Sequence, residues 1–287
     1  MLYQWSRKSF NYTLVLLFLN QSKFSTAFVQ LNGNKFQKNL IQQNNWRGIT
    51  KKIHTKPTTS CFSTMEHNFS AGPIPVKPKK DPNLPTMIVF DLDDCVWSPE
   101  MYTLSGKPSE PIEGDLNPKP SSADRDKERG VIGMKVPYGP IVRLFDGARE
   151  VLRELVLDPK YEGIILAAAS SSEEPTYSYA CLEGIEIIPG VTLNDVMAYH
   201  QIGRTGKLSS RKTTHFSLLH EESNVSYEEM LFFDDCNWGD HVRDISMSFG
   251  VVGQRTPRGM QYSEFEKGLK LYREAAEARR ASQEYNK

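Results

Sequence analysis

Met87-Ile-Val-Phe-Asp-Leu-Asp-Asp-Cys-Val-Trp-Ser98 sets an unbroken apolar run directly against three acids. A run without polar alternation fits a strand covered on both faces, so residues 87–90 read as a buried parallel strand. Asp91, Asp93 and Asp94 then fall at its carboxyl end, where open α/β sheets bind their ligands. Carboxylates this close repel one another, and a hard divalent cation relieves that repulsion, so Mg²⁺ is expected. Taken alone, the same acids also read as a solvated turn or a helix N-cap.

A second junction repeats the pattern at Met230-Leu-Phe-Phe-Asp-Asp-Cys236, with Asp234 and Asp235 closing another apolar run. Two strand-to-acid junctions in one sheet can bring their carboxylates to a single ion, and the pair is far more specific than either alone. Between them, residues 145–155 have the spacing of an amphipathic helix with Asp146 as its N-cap. A buried strand at 163–169 follows and runs into Ser170, Ser171 and Ser172. Strand, helix, strand implies a parallel crossover, which sets Ser170 at the same sheet edge as Asp91. The serines also read as a helix start capped by Ser171 or Ser172, and such a start itself favours an anion. Residues 182–210 read as a short helix, a turn at Pro189-Gly190, another helical piece and a strand near 199–202. Lys212 opens a further helix, where a lysine ordinarily snorkels to solvent. His215 and His220 read as helix-face residues without a metal role. Beyond Asp235 the pattern gives a helix at 237–245, an edge strand at 248–252 and a charged amphipathic helix at 262–285.

Four stretches in order, Val89-Phe-Asp-Leu-Asp-Asp-Cys-Val-Trp97, Ala167-Ala-Ala-Ser170, Lys212-Thr-Thr-His-Phe216 and Leu231-Phe-Phe-Asp-Asp235, resemble the haloacid dehalogenase superfamily. More closely, they are similar to its magnesium-dependent phosphatases, the acid phosphatase group related to protein-tyrosine and sugar-phosphate phosphatases. The resemblance spans roughly residues 87–276 and none of the first eighty. It implies an α/β fold, a doubly wound parallel sheet of Rossmann-like haloacid dehalogenase type, with a flap insertion and no large cap domain. It implies a phosphoric monoester hydrolase in which Asp91 is the nucleophile and forms an aspartyl-phosphate, while Asp93 serves as general acid and base. Mg²⁺ would be held by the Asp91 carboxylate, the Asp93 backbone carbonyl and Asp235, with Asp234 beside them orienting Asp235 or Lys212. Ser170, with Ser171, and Lys212 would bind the phosphate, Arg211 and Lys207 being the nearby substitutes for the lysine. Cys95 departs from the family pattern, which has Thr or Val there, and slower or redox-sensitive activity is expected from it. An open site favours phosphotyrosine in proteins or sugar phosphates. The alternative is a phosphoryl-accepting receiver-like domain, or a catalytically weak Mg²⁺ and phosphate-binding regulatory protein; Ser170 in place of an acceptor Asp argues against the receiver.

Formal charge is zero over 287 residues, but residues 1–65 hold nine Lys or Arg and no acid. From Glu66 onward 26 basic face 35 acidic residues, which speaks against nucleic acid as a partner. The expected partner is a phosphorylated small molecule or phosphoprotein, bound by a monomer. Arg7 and Lys8 before the apolar stretch 13–19, small residues at Ser25-Thr-Ala27, then Phe28 and a basic tail resemble a two-part plastid presequence of algae with secondary plastids. A mitochondrial presequence is the alternative, and Met65 offers a cytosolic start; the apolar run is too short to span a bilayer in the mature form. This divides the chain into a largely disordered presequence at 1–65, a Pro-rich linker at 66–85 and a phosphatase domain at 86–287. Within that domain, the insertion 98–140 is expected to form a flap over the site with a disordered part around 119–130, Trp97 and Tyr102 either lining the entrance or packing at the flap base. Cys61, Cys95, Cys181 and Cys236 lack zinc spacing, though Cys95 and Cys236 stand beside the acid junctions and could form a reversible disulfide; two small buried thiols are the simpler reading.

Overall fold

In the computed structural model the chain divides into two compact units, Met1–Pro73 and Ile74–Lys287. Of the first, the structure describes the backbone of β1 (Trp5–Lys8), β2 (Asn11–Asn20), β3 (Lys23–Asn32) and β4 (Lys35–Lys38), paired antiparallel in that order. The sequence leads one to expect no regular structure there, whereas β2 is rich in the β-branched and aromatic residues that favour strands. Of the second unit, residues 81–119 and 128–285 are described. Cys61, Met65, the linker up to residue 80 and the centre of the segment expected to be disordered lie outside the described residues.

The second unit is built on five parallel strands in the order β13-β10-β5-β14-β15. These are β5 (Met87–Phe90), β10 (Ile165–Ser170), β13 (Met197–Ile202), β14 (Met230–Asp234) and β15 (Val252–Arg255). β5 and β14 are buried at every position, whereas the third run read as a buried strand starts at Ile165, itself half-buried; the reason for the burial is two-sided cover. Ile88, Phe90, Leu231 and Phe233 face a cluster completed by Val151 and Leu152 of α1 (Asp146–Leu157) and Phe265 and Tyr272 of α6 (Tyr262–Tyr285). Their neighbours Met87, Val89 and Phe232 point the other way, onto Phe216 and Leu219 of α4 (Lys212–Ser223) and Ile245 of α5 (His241–Phe249). Each such fully buried side chain contributes roughly 1.5–3 kcal/mol. Side chains alternate along a strand, so helices on both faces require both sets to be apolar. This is the doubly wound α/β sheet expected, and β5, its central strand, delivers the first acid junction between β10 and β14.

Several local expectations are corrected. Asp146 lies in the first turn of α1, after Phe145 as N-cap. Neither Ser171 nor Ser172 caps α2 (Pro175–Gly184): its N-cap is Glu174, whose N–H donates to Ser172 Oγ at 3.3 Å. The edge strand runs later than 248–252, because Gly239 at φ +149 delays α5 until Asp240 caps it, and the helix then continues to Phe249. Residues 185–196 hold a small hairpin, β11 (Glu186–Ile188) and β12 (Val191–Thr192), and the one-turn α3 (Leu193–Val196).

The insertion 98–140 and the residues that border it form a second sheet, ordered β6-β9-β8-β7, made of β6 (Trp97–Ser98), β7 (Glu110–Asp115), β8 (Arg129–Lys135) and β9 (Ile141–Leu144). It is tied to the body of the domain: Arg149 donates to Ile132 O at 3.0 Å and to Glu186 O at 2.8 Å, and Arg153 donates to Ile187 O at 2.9 Å and pairs with Glu128. Burial holds the Arg149 guanidinium down to about 10. Among the described residues Glu100 and Tyr102 of the insertion line the site cleft, so the insertion reaches the site through its first residues.

Candidate active site

The carboxyl ends of β5, β10 and β14 lie side by side, since Phe90 is in register with both Ala168 and Phe233. The chain turns sharply immediately after each acid junction, through Asp94 at φ +54 and Cys236 at φ +60. Left-handed backbone is costly for residues other than Gly, and here it bends the chain away so that the acids stay at the strand tips.

Asp91, Asp234 and Asp235 converge, one oxygen from each lying within 4.8 Å of the others. Lys212 Nζ sits 2.5 Å from Asp91 Oδ1 and 2.6 Å from Asp234 Oδ2, and its side chain is 2% exposed. The lysine therefore does not snorkel: α4 points it straight into the acids. Burial raises Asp91 well above the ordinary carboxylate range, against the pull of Lys212 and with help from Asp234 and Asp235. Asp234 is also pushed up by burial, but Lys212 and a hydrogen bond from His241 Nδ1 at 3.3 Å outweigh this and hold it low. Asp235 is raised by burial and by Asp234, and it accepts from Asn237 N at 2.9 Å. With all three ionised, as a bound cation requires, three carboxylates against one ammonium leave two negative charges to be balanced, and the donors are all hard oxygens. That set fits Mg²⁺.

Asp93 stands apart from this cluster. Its Oδ1 accepts from Trp97 Nε1 at 2.7 Å and its Oδ2 from Met101 N at 3.2 Å, while burial raises it to about 6. A carboxyl raised this far exchanges its proton closer to neutral pH than an ordinary carboxylate does. Trp97 is fully buried and orients Asp93, so it does not line the entrance, whereas Tyr102 does.

Ser170, 1% exposed, lines the cleft at the tip of β10. Ser171 lines it too, with its hydroxyl donating to Ser210 O at 3.3 Å. Lys207 and Arg211, the nearby cations, do not line the cleft, whereas Lys212 does. The cleft, about 440 Å³, is completed by Glu100, Glu173, Arg204, Trp238 and His241, none of which the sequence singled out. Trp238, three residues past Asp235, carried the one available signal, a large aromatic in a Gly-flanked turn beside an acid junction.

His215 is likewise more than a helix-face residue. It is completely buried, and its Nε2 faces the carbonyls of Ser170 and Gly203, both at 3.1 Å. Both are acceptors, so Nε2 carries the hydrogen and clamps the tip of β10 to the loop after β13. Burial, then Lys212, holds the ring down to about 4 from 6.5. With the folded value below the unfolded one, its contribution is intact above pH 6.5 and is lost as pH falls through 4. The stability advantage of the wild type over His215→Gln should shrink by about 3 kcal/mol between pH 7 and pH 4. Denaturant melts read this directly, and a constant advantage would contradict the buried neutral ring.

Among the described residues no disulfide joins Cys95 to Cys236. Cys95 is buried against Phe233 O at 3.7 Å and accepts from Thr256 Oγ1 at 3.3 Å, whereas Cys236 faces Asp240 at 4.0 Å. The three described cysteines are free, and burial pushes Cys181 and Cys236 up to about 12 and Cys95 well above its ordinary value. Thiols so rarely ionised exchange slowly.

Among the described residues no helix is long and apolar enough to cross a membrane. Comparison with known proteins finds a family model described as Acid Phosphatase matching residues 83–275. A HAD-like hydrolase superfamily protein of Schizosaccharomyces pombe is 25% identical over 170 residues, covering 59% of this chain and 87% of that protein. A crystal structure of the N-terminal part of a Bacteroides fragilis protein, containing a phosphatase domain complexed with Mg, is 16% identical. It covers 66% of this chain and 40% of its own, with a TM-score of 0.38. With the family model spanning 83–275 and the acids, serine and lysine of the four motifs gathered at one sheet edge, the chain belongs to the acid phosphatase family of haloacid dehalogenase-like hydrolases.

Proposed function

We propose that this phosphatase hydrolyses phosphate monoesters through an aspartyl-phosphate on Asp91, with Mg²⁺ held by Asp91, Asp235 and Asp234 and by the backbone carbonyl of Asp93. The observation that carries this reading is the meeting of three acids from the tips of two strands far apart in sequence, two of them paired with the buried ammonium of Lys212. When bound, Mg²⁺ supplies positive charge that lets an anionic nucleophile approach an anionic ester.

A carboxylate oxygen of Asp91 attacks phosphorus as the bond from phosphorus to the leaving oxygen breaks, and Asp93 gives that oxygen its proton. Asp93, now a carboxylate, takes a proton from water; the water oxygen attacks phosphorus and the bond to Asp91 breaks, releasing phosphate. Lys212 and Ser170, with Ser171 beside it, spread the charge of the transferring group over fixed donors. Trp97 and Met101 N hold Asp93 ready for both proton transfers. Esters of sugars or of protein tyrosine are the proposed substrates. The apolar stretch 13–19, the small residues before Phe28 and the basic tail after it support a plastid address for residues 1–65, with a mitochondrial address as the alternative.

Hydrolysis of p-nitrophenyl phosphate tests the reading: it should proceed with Mg²⁺ and stop with a chelator. Binding should also show without turnover. At a hundredfold excess over its dissociation constant, Mg²⁺ should stabilise the fold by about 2.7 kcal/mol, a rise in Tm on the order of 5–10 °C. Asp235→Asn should lose more than half of that rise; an undiminished rise would place the ion elsewhere.

A further inference from the structure

The mouth of the cleft carries an unused carboxylate under an aromatic lip. Trp238 is 72% exposed and Tyr102 51%, yet the two rings meet edge to face at 6.0 Å and join the loops that follow the two acid junctions. Trp238 Nε1 donates to Glu100 Oε1 at 2.9 Å. Glu100 is only 9% exposed, and its other oxygen, Oε2, is buried with no hydrogen-bond partner while the residue lines the cleft. A buried acceptor left unpaired is costly, and a ligand that supplies a donor relieves the cost. Of the ammonium and guanidinium groups that line the cleft, Lys212 is held by Asp91 and Asp234, and Arg204 by Glu173 at 2.6 Å and by Ser171 O.

The position of this group along the reaction path identifies what it meets. Met101 N donates to Asp93, the acid that protonates the leaving oxygen, so Glu100 and Tyr102 hang from the residue that touches the leaving group. We propose that Glu100 selects the leaving group: Oε2 accepts a hydrogen bond from a hydroxyl or ammonium on it, while Trp238 covers its ring or apolar face. The preferred substrates are then monoesters of hydroxyl- or ammonium-bearing alcohols without a second anionic group. Esters carrying a carboxylate or a second phosphate are turned away by like charge beside the buried Glu100 carboxylate. This rests on the phosphatase reading of the same site.

The test is an aryl phosphate pair of matched shape, 4-carboxyphenyl phosphate and 4-(aminomethyl)phenyl phosphate, with phenyl phosphate as reference. Glu100→Gln keeps an acceptor for Trp238 and removes the charge, and leaving-group reactivity cancels when the same pair is compared between proteins. The ratio of kcat/KM for the carboxy ester over the aminomethyl ester should rise at least threefold in Glu100→Gln. Circular-dichroism melts confirm folding, and Glu100→Thr is read in the same way should the Gln protein melt early. A rise of less than threefold in a folded variant that turns over phenyl phosphate overturns the selection by Glu100 and leaves the phosphatase reading standing. A wild type that does not hydrolyse phenyl phosphate overturns both.

Discussion

Asp91→Asn is expected to lower kcat for p-nitrophenyl phosphate by ~10⁴-fold or more while leaving the domain folded. An amide oxygen can still accept from Lys212, but it cannot form the mixed anhydride on which the covalent route depends. Because burial and two neighbouring carboxylates already raise Asp91, removing its charge relieves repulsion. The Tm of the variant in metal-free buffer should therefore equal or exceed that of the wild type. A variant that loses activity only because it unfolds would show the opposite, so paired kinetics and melting separate the two causes.

Lys212→Met should damage both stability and rate. Nζ is the only cation within salt-bridge distance of Asp91 among the described residues, and it also holds Asp234. Burial works against a charged lysine, but Asp234 and Asp91 outweigh it and hold the ammonium well above its ordinary range. Methionine matches the length of the stem and strands the carboxylates without a counter-charge. Breaking a buried pair in this way costs about 3–5 kcal/mol, and loss of a donor to the transferring phosphoryl group costs a further ~10²–10³-fold in kcat. Denaturant melts in metal-free buffer check the first figure, and kcat at saturating Mg²⁺ checks the second. A variant as stable as the wild type would mean that the lysine is not the counter-charge of the acid cluster.

Those two residues were legible in the sequence for different reasons. Asp91 stood out through local pattern alone, an apolar run broken by acids, because two-sided burial of β5 leaves no polar position until the strand ends. Lys212 did not: a lysine opening a helix looks like any solvated lysine, and only the resemblance to a family marked it. The clamp made by His215 was invisible because its partners are the backbone carbonyls of Ser170 and Gly203, brought together by β10 and β13. The strands of the insertion were not legible for a similar reason: they lack periodicity, and what ties them down is Arg149 on Ile132 O and Arg153 on Glu128, from a helix later in the chain. Glu100 and Trp238 belong to the same class, since 138 residues separate the two ends of their hydrogen bond.

The most direct measurement is chemical trapping in Asp93→Asn, where hydrolysis of the intermediate is slowed for want of a base. With p-nitrophenyl phosphate the leaving group needs no proton, so the first step still proceeds. Acid quench, borohydride reduction and peptide mass spectrometry convert a phosphorylated aspartate into homoserine at its own position. Homoserine at position 91 alone is the predicted result. A burst of p-nitrophenol with homoserine at position 234 or 235, or at none, would contradict Asp91 as the nucleophile.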